Sequence, residues 1–131
     1  MASLYERNSL IQTIRKTAQG IGVPLTVGGG IRSIKNIEEI LNAGADKVSI
    51  NTMATKKPNF INEAVRIFGS STITVAIEAS KDKNGKYFAY TDNGREFTNL
   101  EVLHWVQEVE KRGAGEILLT SIDKEGTGEG F

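Results

Sequence analysis

The chain has 131 residues, of which 39% are hydrophobic and 24% are charged, as is typical of one soluble globular domain with a core. Sixteen basic and sixteen acidic residues cancel, so no global field favours nucleic acid or an anionic membrane, and anion binding must be local. The lack of cysteine excludes disulfides, thiolate zinc sites and cysteine nucleophiles. Apolar runs are far shorter than the ~18 residues of a membrane-spanning helix. We therefore expect a cytoplasmic protein.

Helices and strands are predicted to alternate through the first part of the chain. Apolar residues at helical spacing predict three helices, the second with Ser33 as its N-cap and a stop at Gly44. Short β-rich runs between them predict three strands. The predicted helices are 7–21, 33–43 and 58–68; the predicted strands are 23–27, 47–51 and 72–78, and 52–57 is predicted as a loop.

The composition changes between residues 80 and 98, where Asn84-Gly85 and Asn93-Gly94 flank a run with three aromatic residues. Asn-Gly pairs favour tight hairpin turns, so a small β-hairpin excursion is expected here. A fourth helix is predicted from Leu100 to Gly113, and a last strand over 116–122. The tail 123–131 is Gly-rich.

An internal repeat indicates how these elements are arranged. Residues 43–52 and 112–121 both run from a helix end through Gly-Ala to a charge, a strand core and a Thr or Ser. Repeated strand–helix units form parallel sheets with right-handed crossovers. The chain is therefore predicted to be α/β, as a single domain over residues 1–131.

Alternation within the strands favours a barrel over an open sheet. In each strand one face is aliphatic and the other smaller and more polar, whereas an open doubly wound sheet is apolar on both faces. A polar inner face suits a (β/α)8 barrel, whose chemistry lies at the carboxyl ends of the strands. Lys47 and Glu116 begin their strands, and Asn51, Glu78 and Thr120 end theirs.

The loop Gly28-Gly29-Gly30 joins a predicted strand to a predicted helix. Without Cβ atoms the backbone can approach an oxyanion closely, and the N–H groups at the start of the helix can hold it. The simpler interpretation is a tight turn without a ligand. The functional interpretation is that this loop binds a phosphate group.

Several motifs together resemble the cyclase subunit of imidazole glycerol phosphate synthase, from histidine biosynthesis. They are Val27–Ile31, Gly44–Thr52, Phe68–Ser70, Val75–Ala79 and Trp105–Asp123. The resemblance implies a (β/α)8 barrel, of which this chain resembles about strands 3 to 6 with a hairpin insertion. It also implies that ammonia from a glutaminase partner reacts with a two-phosphate ribonucleotide to give imidazole glycerol phosphate and an aminoimidazole carboxamide ribotide. No cofactor or metal is implied.

The resemblance also assigns roles to individual residues. Glu78 stands where the family has a catalytic aspartate, and Glu125 likewise replaces an aspartate. The other matches are a phosphate site (Gly29, Gly30, Asn51 and Thr52), the mouth of the barrel (Thr120 and Ser121), an ammonia gate (Lys47 and Glu116) and a surface facing the glutaminase (Asp46).

Two departures from the family predict an inactive chain. The family's first-strand aspartate and second phosphate site have no counterpart in these 131 residues, which resemble the middle of a barrel. In addition, the longer side chain of Glu78 moves its carboxyl by about 1 Å, which can cost ~100-fold in rate. We expect a fragment that binds phosphate and self-associates through open strand edges, without nucleic acid or membrane.

Alternative interpretations remain open at this point. The related phosphoribosyl isomerase shares the Gly-Gly-Gly-Ile-Arg loop, a paralogue for ammonia-dependent sugar amidation would explain Glu78, and a non-catalytic half-barrel would merely self-assemble. The alternative for Lys47 and Glu116 is a plain buried ion pair without a role in transport.

Overall fold

The computed structural model describes residues 4–91 and 94–122, with the side chains of residues 4–7 left aside. Helices and strands alternate along this part of the chain. The helices are α1 (Leu4–Gly20), α2 (Ile34–Ala43), α3 (Thr52–Lys56), α4 (Asn59–Phe68) and α5 (Val102–Lys111), and a short 3-10 helix covers Ser70–Thr72. The strands are β1 (Thr26–Gly28), β2 (Lys47–Ile50), β3 (Ile73–Lys81), β4 (Tyr87–Thr91), β5 (Glu96–Glu101) and β6 (Glu116–Ser121).

Strands β1, β2, β3 and β6 are parallel neighbours in sequence order. Ser49 pairs with Gly28 on one side and with Thr74 on the other, and Thr74 pairs in turn with Glu116. Helices connect the successive parallel strands. The predicted parallel-rich α/β architecture is therefore confirmed, and it fits a partial (β/α) barrel.

The hydrophobic core lies on the aliphatic face of the sheet. Each aliphatic side chain fully removed from water contributes roughly 1.5–3 kcal/mol, and the core is built almost entirely from such residues. Its most deeply buried members include Val48, Ile73, Val75 and Ile77 from the strands and Ile37, Ile61 and Val109 from the helices. The predicted division of each inner strand into an aliphatic and a more polar face is visible in this burial.

Local signals set the limits of α2 as predicted. The Ser33 Oγ accepts a hydrogen bond from the Asn36 N–H (3.1 Å), which satisfies one of the donors exposed at a helix start. Gly44 ends the helix with φ of +126°, and a Cβ there would lie 2.6 Å from the Ala18 Cβ. Glycine at this position thus provides both the conformation and the space that α1 needs to pack.

The antiparallel strands occupy a defined place beside β3. β4 pairs with residues 78–81 of β3, and β5 pairs with β4. β6 pairs with residues 74–79 and therefore occupies one edge of β3. β4 must then lie along the other edge, which it shares with β2, beyond the point where β2 ends. The β4–β5 hairpin therefore lies over the carboxyl end of β2.

Several predicted boundaries were wrong. Residues 52–56 form helix α3 rather than a loop, with Ala54 fully buried. β1 begins at Thr26 rather than at residue 23, because Pro24 lacks an N–H to donate to a neighbouring strand. β3 continues past Glu78 because β4 pairs with its end, and Leu100 belongs to β5 rather than to α5. The tail with Glu125 lies outside the described residues.

None of the helices in the described ranges is long and apolar enough to cross a membrane.

Candidate functional site

The three glycines at the end of β1 and directly after it are needed for different structural reasons. A Cβ on Gly28 would lie 2.9 Å from the Ser49 Cβ, so glycine allows β1 to approach β2. Gly29 and Gly30 have φ of +99° and +69°, a region that disfavours side chains, and nothing lies within 4 Å of a Cβ built on either. The backbone of these two residues is thus left accessible, as a loop that receives an anion requires.

Asn51 and Thr52 follow β2, the strand next to β1. Asn51 is the N-cap of α3, but its side chain makes no capping hydrogen bond. The Thr52 carbonyl instead accepts a hydrogen bond from the Thr55 hydroxyl (2.8 Å). Because parallel strands end at the same edge of a sheet, these residues and the glycine loop lie side by side.

Glu78 lies near the carboxyl end of β3, on the polar face of the sheet. Its cross-strand partner on β6 is Thr120, whose side chain therefore lies on the same face. Ser121 pairs with Ala79, and alternation places its side chain on the opposite face. The structure thus brings Thr120 beside Glu78 but does not bring the Ser121 side chain there.

One oxygen of Glu78 has no hydrogen-bond partner. Among the buried side-chain oxygens and nitrogens of residues 4–91 and 94–122, only the Glu78 Oε1 is unsatisfied. An unpaired buried carboxylate oxygen is costly, and most such groups in proteins are satisfied by protein or water. The protein groups of the described ranges thus leave this acceptor of Glu78 unpaired.

A chain of polar contacts crosses the other end of the sheet. The Lys47 Nζ donates to the Glu116 Oε1 (3.3 Å), and the Thr74 hydroxyl donates to the same oxygen (3.0 Å). The sequence offered no reason to assign Thr74 a role, because a hydroxyl among aliphatic residues carries no motif. The structure shows that it joins the charges of two strands that are not adjacent.

The Thr74 hydroxyl, and then the hydrogen bond and charge of Lys47, lower the pKa of Glu116 below its ordinary value of 4.5. A carboxyl with a lower pKa in the folded state stabilises the protein above its unfolded pKa, and this contribution is lost as the pH falls through the folded value.

Thr74→Val is expected to flatten this acid dependence. The fall in the free energy of unfolding between neutral pH and about pH 3 should be smaller in the variant than in the wild type, because the largest cause of the lowered pKa is gone. Urea denaturation at both pH values measures it, with Thr13→Val on the exposed surface of α1 as the control. An unchanged acid dependence in Thr74→Val would contradict the assignment.

Asp46 has a structural contact of its own. Its Oδ2 accepts a hydrogen bond from the Leu25 N–H (2.7 Å), and its N–H donates to the Leu25 carbonyl (2.8 Å). These bonds fix the chain just before β1. Asp46 also borders an open depression of about 410 Å³, where Ile21 and Val23 are exposed.

Metal binding finds no support in the described ranges, which contain no cluster of three or more His, Asp or Glu side chains that could hold an ion.

Comparison with known proteins assigns the family. A family model described as "Histidine biosynthesis protein" matches residues 1–131. The chain belongs to this family. Among its histidine biosynthesis relatives, the imidazole glycerol phosphate synthase subunit HisF of Legionella pneumophila is 53% identical over 131 residues, which are 100% of this chain and 62% of the relative.

Two further relatives carry the same name. HisF of Campylobacter concisus is 49% identical over 130 residues, covering 99% of this chain and 51% of the relative. HisF of Hydrogenobaculum is also 49% identical over 130 residues, covering 99% of the chain and 52% of the relative. The chain thus spans between 51% and 62% of the length of these histidine biosynthesis proteins.

Proposed function

We propose that the chain is a portion, about strands 3 to 6, of a cyclase subunit that makes imidazole glycerol phosphate with ammonia. The observation that carries the proposal is the unsatisfied Glu78 Oε1 at the carboxyl end of a parallel strand. In barrels of this kind, side chains at those ends perform the chemistry. Glu78 is the proposed acid–base group, and Thr120 beside it is proposed to line the mouth of the barrel, with the backbone of Ser121.

The same edge supplies a proposed phosphate site. Gly29 and Gly30 present an accessible backbone, and Asn51 and Thr52 follow the neighbouring strand. The free Asn51 amide and the N–H groups can together bind an anion without any lysine. This site would hold one phosphate of the ribonucleotide.

Titration with inorganic phosphate tests that site. The amide resonances of Gly29, Gly30, Asn51 and Thr52 should shift before any others. Asn51→Asp should weaken phosphate binding about tenfold, because it places a negative charge beside the anion. Asn84→Asp, which makes the same change in the exposed turn after β3, is the control and should bind as the wild type does. Shifts confined to residues 81–86 would overturn the proposal.

At the opposite end of the sheet, Lys47 and Glu116 are proposed to take part in an ammonia gate. Their ion pair lies on the polar face, where the two strands begin, and half of the Glu116 side chain is exposed. Asp46 is proposed to face a glutaminase subunit. The exposed depression beside it supports a contact surface there.

Glu78 itself favours a second candidate, a paralogue that uses ammonia to amidate a sugar. A glutamate where the cyclases are expected to carry aspartate fits a substrate whose reacting atom lies farther from β3. The two candidates differ in how turnover responds to Glu78→Asp.

Self-association is also proposed for the chain by itself. Leu118 and Leu119 on β6 are 54% and 56% exposed as residues, and large exposed aliphatic residues on a strand favour contact with a second chain. Sedimentation should therefore show a homo-oligomer at micromolar concentration. A stable, folded monomer would contradict this expectation.

A further inference from the structure

We propose that a cavity between α3 and the β4–β5 hairpin binds a small zwitterion, namely a free aliphatic α-amino acid. Lys56 holds the carboxylate of this ligand and Glu96 holds its ammonium group. The residues that define the cavity for this purpose are Thr55, Lys56, Thr91, Glu96 and Leu100, and we call it the hairpin cavity.

The hairpin cavity lies on the side of the sheet opposite to Glu78. Glu78 pairs with Tyr90 on β4, so the side chains of these two residues share one face. Thr91 follows Tyr90, and alternation turns its side chain, with that of its partner Glu96 on β5, to the other face. The cavity is therefore separate from the proposed acid–base site.

Two opposite charges line the cavity without neutralising each other. Within residues 4–91 and 94–122, the Lys56 ammonium has neither an ion pair nor a hydrogen bond. The Glu96 carboxylate accepts a long hydrogen bond from the Thr91 hydroxyl (3.5 Å). Opposite charges that share a cavity but do not touch leave room between them for a molecule that carries the complementary pair.

The hydroxyl groups of the cavity add acceptors. The Thr55 hydroxyl donates its proton to the Thr52 carbonyl (2.8 Å), and the Thr91 hydroxyl donates to Glu96. Both hydroxyl oxygens keep lone pairs that can accept a hydrogen bond. An ammonium group with its three N–H donors therefore suits the side of Glu96, and a carboxylate suits the side of Lys56.

These groups together define the class of ligand. An inorganic anion is repelled by Glu96 and a simple cation is repelled by Lys56, whereas a zwitterion meets an opposite charge at both ends. The cavity volume of about 260 Å³ lies below the roughly 300–1,000 Å³ of pockets for drug-sized ligands, which indicates a smaller molecule. Leu100 adds an aliphatic wall for an aliphatic side chain.

The fold holds both walls of the cavity in place. On one side, Ala54 is fully buried and anchors α3. On the other side, the Thr98 hydroxyl donates to the Ala89 carbonyl (2.7 Å) and accepts from the Leu100 N–H (3.1 Å), across the bulge in β5. Walls that are fixed before binding lower the entropic cost of ordering them around a ligand.

Binding of L-valine to the 131-residue chain tests the proposal against two analogues that each lack one charge. L-Valine should shift the amide resonances of Thr55, Lys56, Thr91 and Glu96. The analogues are 3-methylbutanoate, which lacks the ammonium group, and isobutylammonium, which lacks the carboxylate. Each should bind about tenfold more weakly than L-valine, because it loses one ion pair and meets one repelling wall. If either analogue binds as tightly as L-valine, recognition of a zwitterion is disproved.

Substitutions assign the two charges. Lys56→Gln and Glu96→Gln each remove one charge at an exposed position, and each should weaken L-valine binding about tenfold. Lys57→Gln is the matched control, since Lys57 is an exposed neighbour of Lys56 that does not line the cavity, and it should bind as the wild type does. Unchanged affinity in either cavity variant, or an equal loss in Lys57→Gln, would overturn the inference. Phosphate titration of the glycine loop tests the proposed function separately.

Discussion

Glu78→Asp, made in a complete barrel that contains this chain, is expected to raise the turnover of ammonia-dependent ring closure by about 100-fold. Residue 78 pairs with β4 on one side and with β6 on the other, so its backbone cannot shift to offset the extra methylene of glutamate. Acid–base catalysis by a positioned group is typically worth ~10²–10⁴-fold, and a displacement of about 1 Å loses much of it. The turnover number with saturating ammonia measures the effect.

Controls make this experiment specific. Glu110→Asp, the same change on the exposed side of α5, should leave turnover unchanged. The 131-residue chain by itself should show no detectable ring closure with either glutamate or aspartate at position 78. If the complete barrels turn over equally with glutamate and with aspartate at position 78, the longer side chain does not limit activity. The inactivity of the 131-residue chain would then be due to the strands that it lacks. Faster turnover with glutamate on an amidated sugar would favour the paralogue.

Gly115→Ala is expected to cause the largest loss of stability, about 3 kcal/mol in the free energy of unfolding. A Cβ on Gly115 would overlap the Ser70 carbonyl oxygen and lie 2.7 Å from the carbonyl carbon. These are backbone atoms, so no side-chain rotation relieves the clash. The Gly115 N–H also donates to the Ile73 carbonyl (3.1 Å), which holds the start of β6 against β3. If residue 115 moved away from Ser70 to relieve the clash, this hydrogen bond would be lost as well.

Urea denaturation measures the change through the transition midpoint. Gly22→Ala is the matched control, because nothing lies within 4 Å of its Cβ and its φ is not in the left-handed region. It should remain within about 1 kcal/mol of the wild type, or be slightly more stable through reduced freedom of the unfolded chain. A stability of Gly115→Ala equal to that of Gly22→Ala would disprove the close approach.

Sequence reasoning predicted those features that local chemistry determines. Ser33 and Gly44 are strong helix signals, and the structure places both at the ends of α2. The alternation in residues 47–50 predicted which side chains are buried, since period 2 follows from strand geometry itself. The parallel order of the strands followed from the repeat. Lys47 and Glu116 do form an ion pair, but it is partly exposed rather than buried as the alternative interpretation had it, and their role in a gate is a proposal.

Features that depend on distant contacts were missed. Helix α3 has five residues and no side-chain cap, and it places Ala54 in the core. No local sequence pattern predicts such a short helix. Leu100 follows a bulge that only the pairing of β5 with β4 creates. Gly115 looks like any loop glycine until Ser70 lies against it. In each case the deciding partner lies elsewhere in the fold.

The placement of the hairpin has a consequence for engineering this sheet. β2 pairs only with residues 73–75 of β3. Without the hairpin, the edge of β3 that faces β2 would have no neighbouring strand from residue 78 onward. β4 fills that vacancy and pairs with the backbone there. Replacing the hairpin with a short linker would thus uncover a strand edge capable of recruiting other chains, and the excursion protects against aggregation as well as shaping the site.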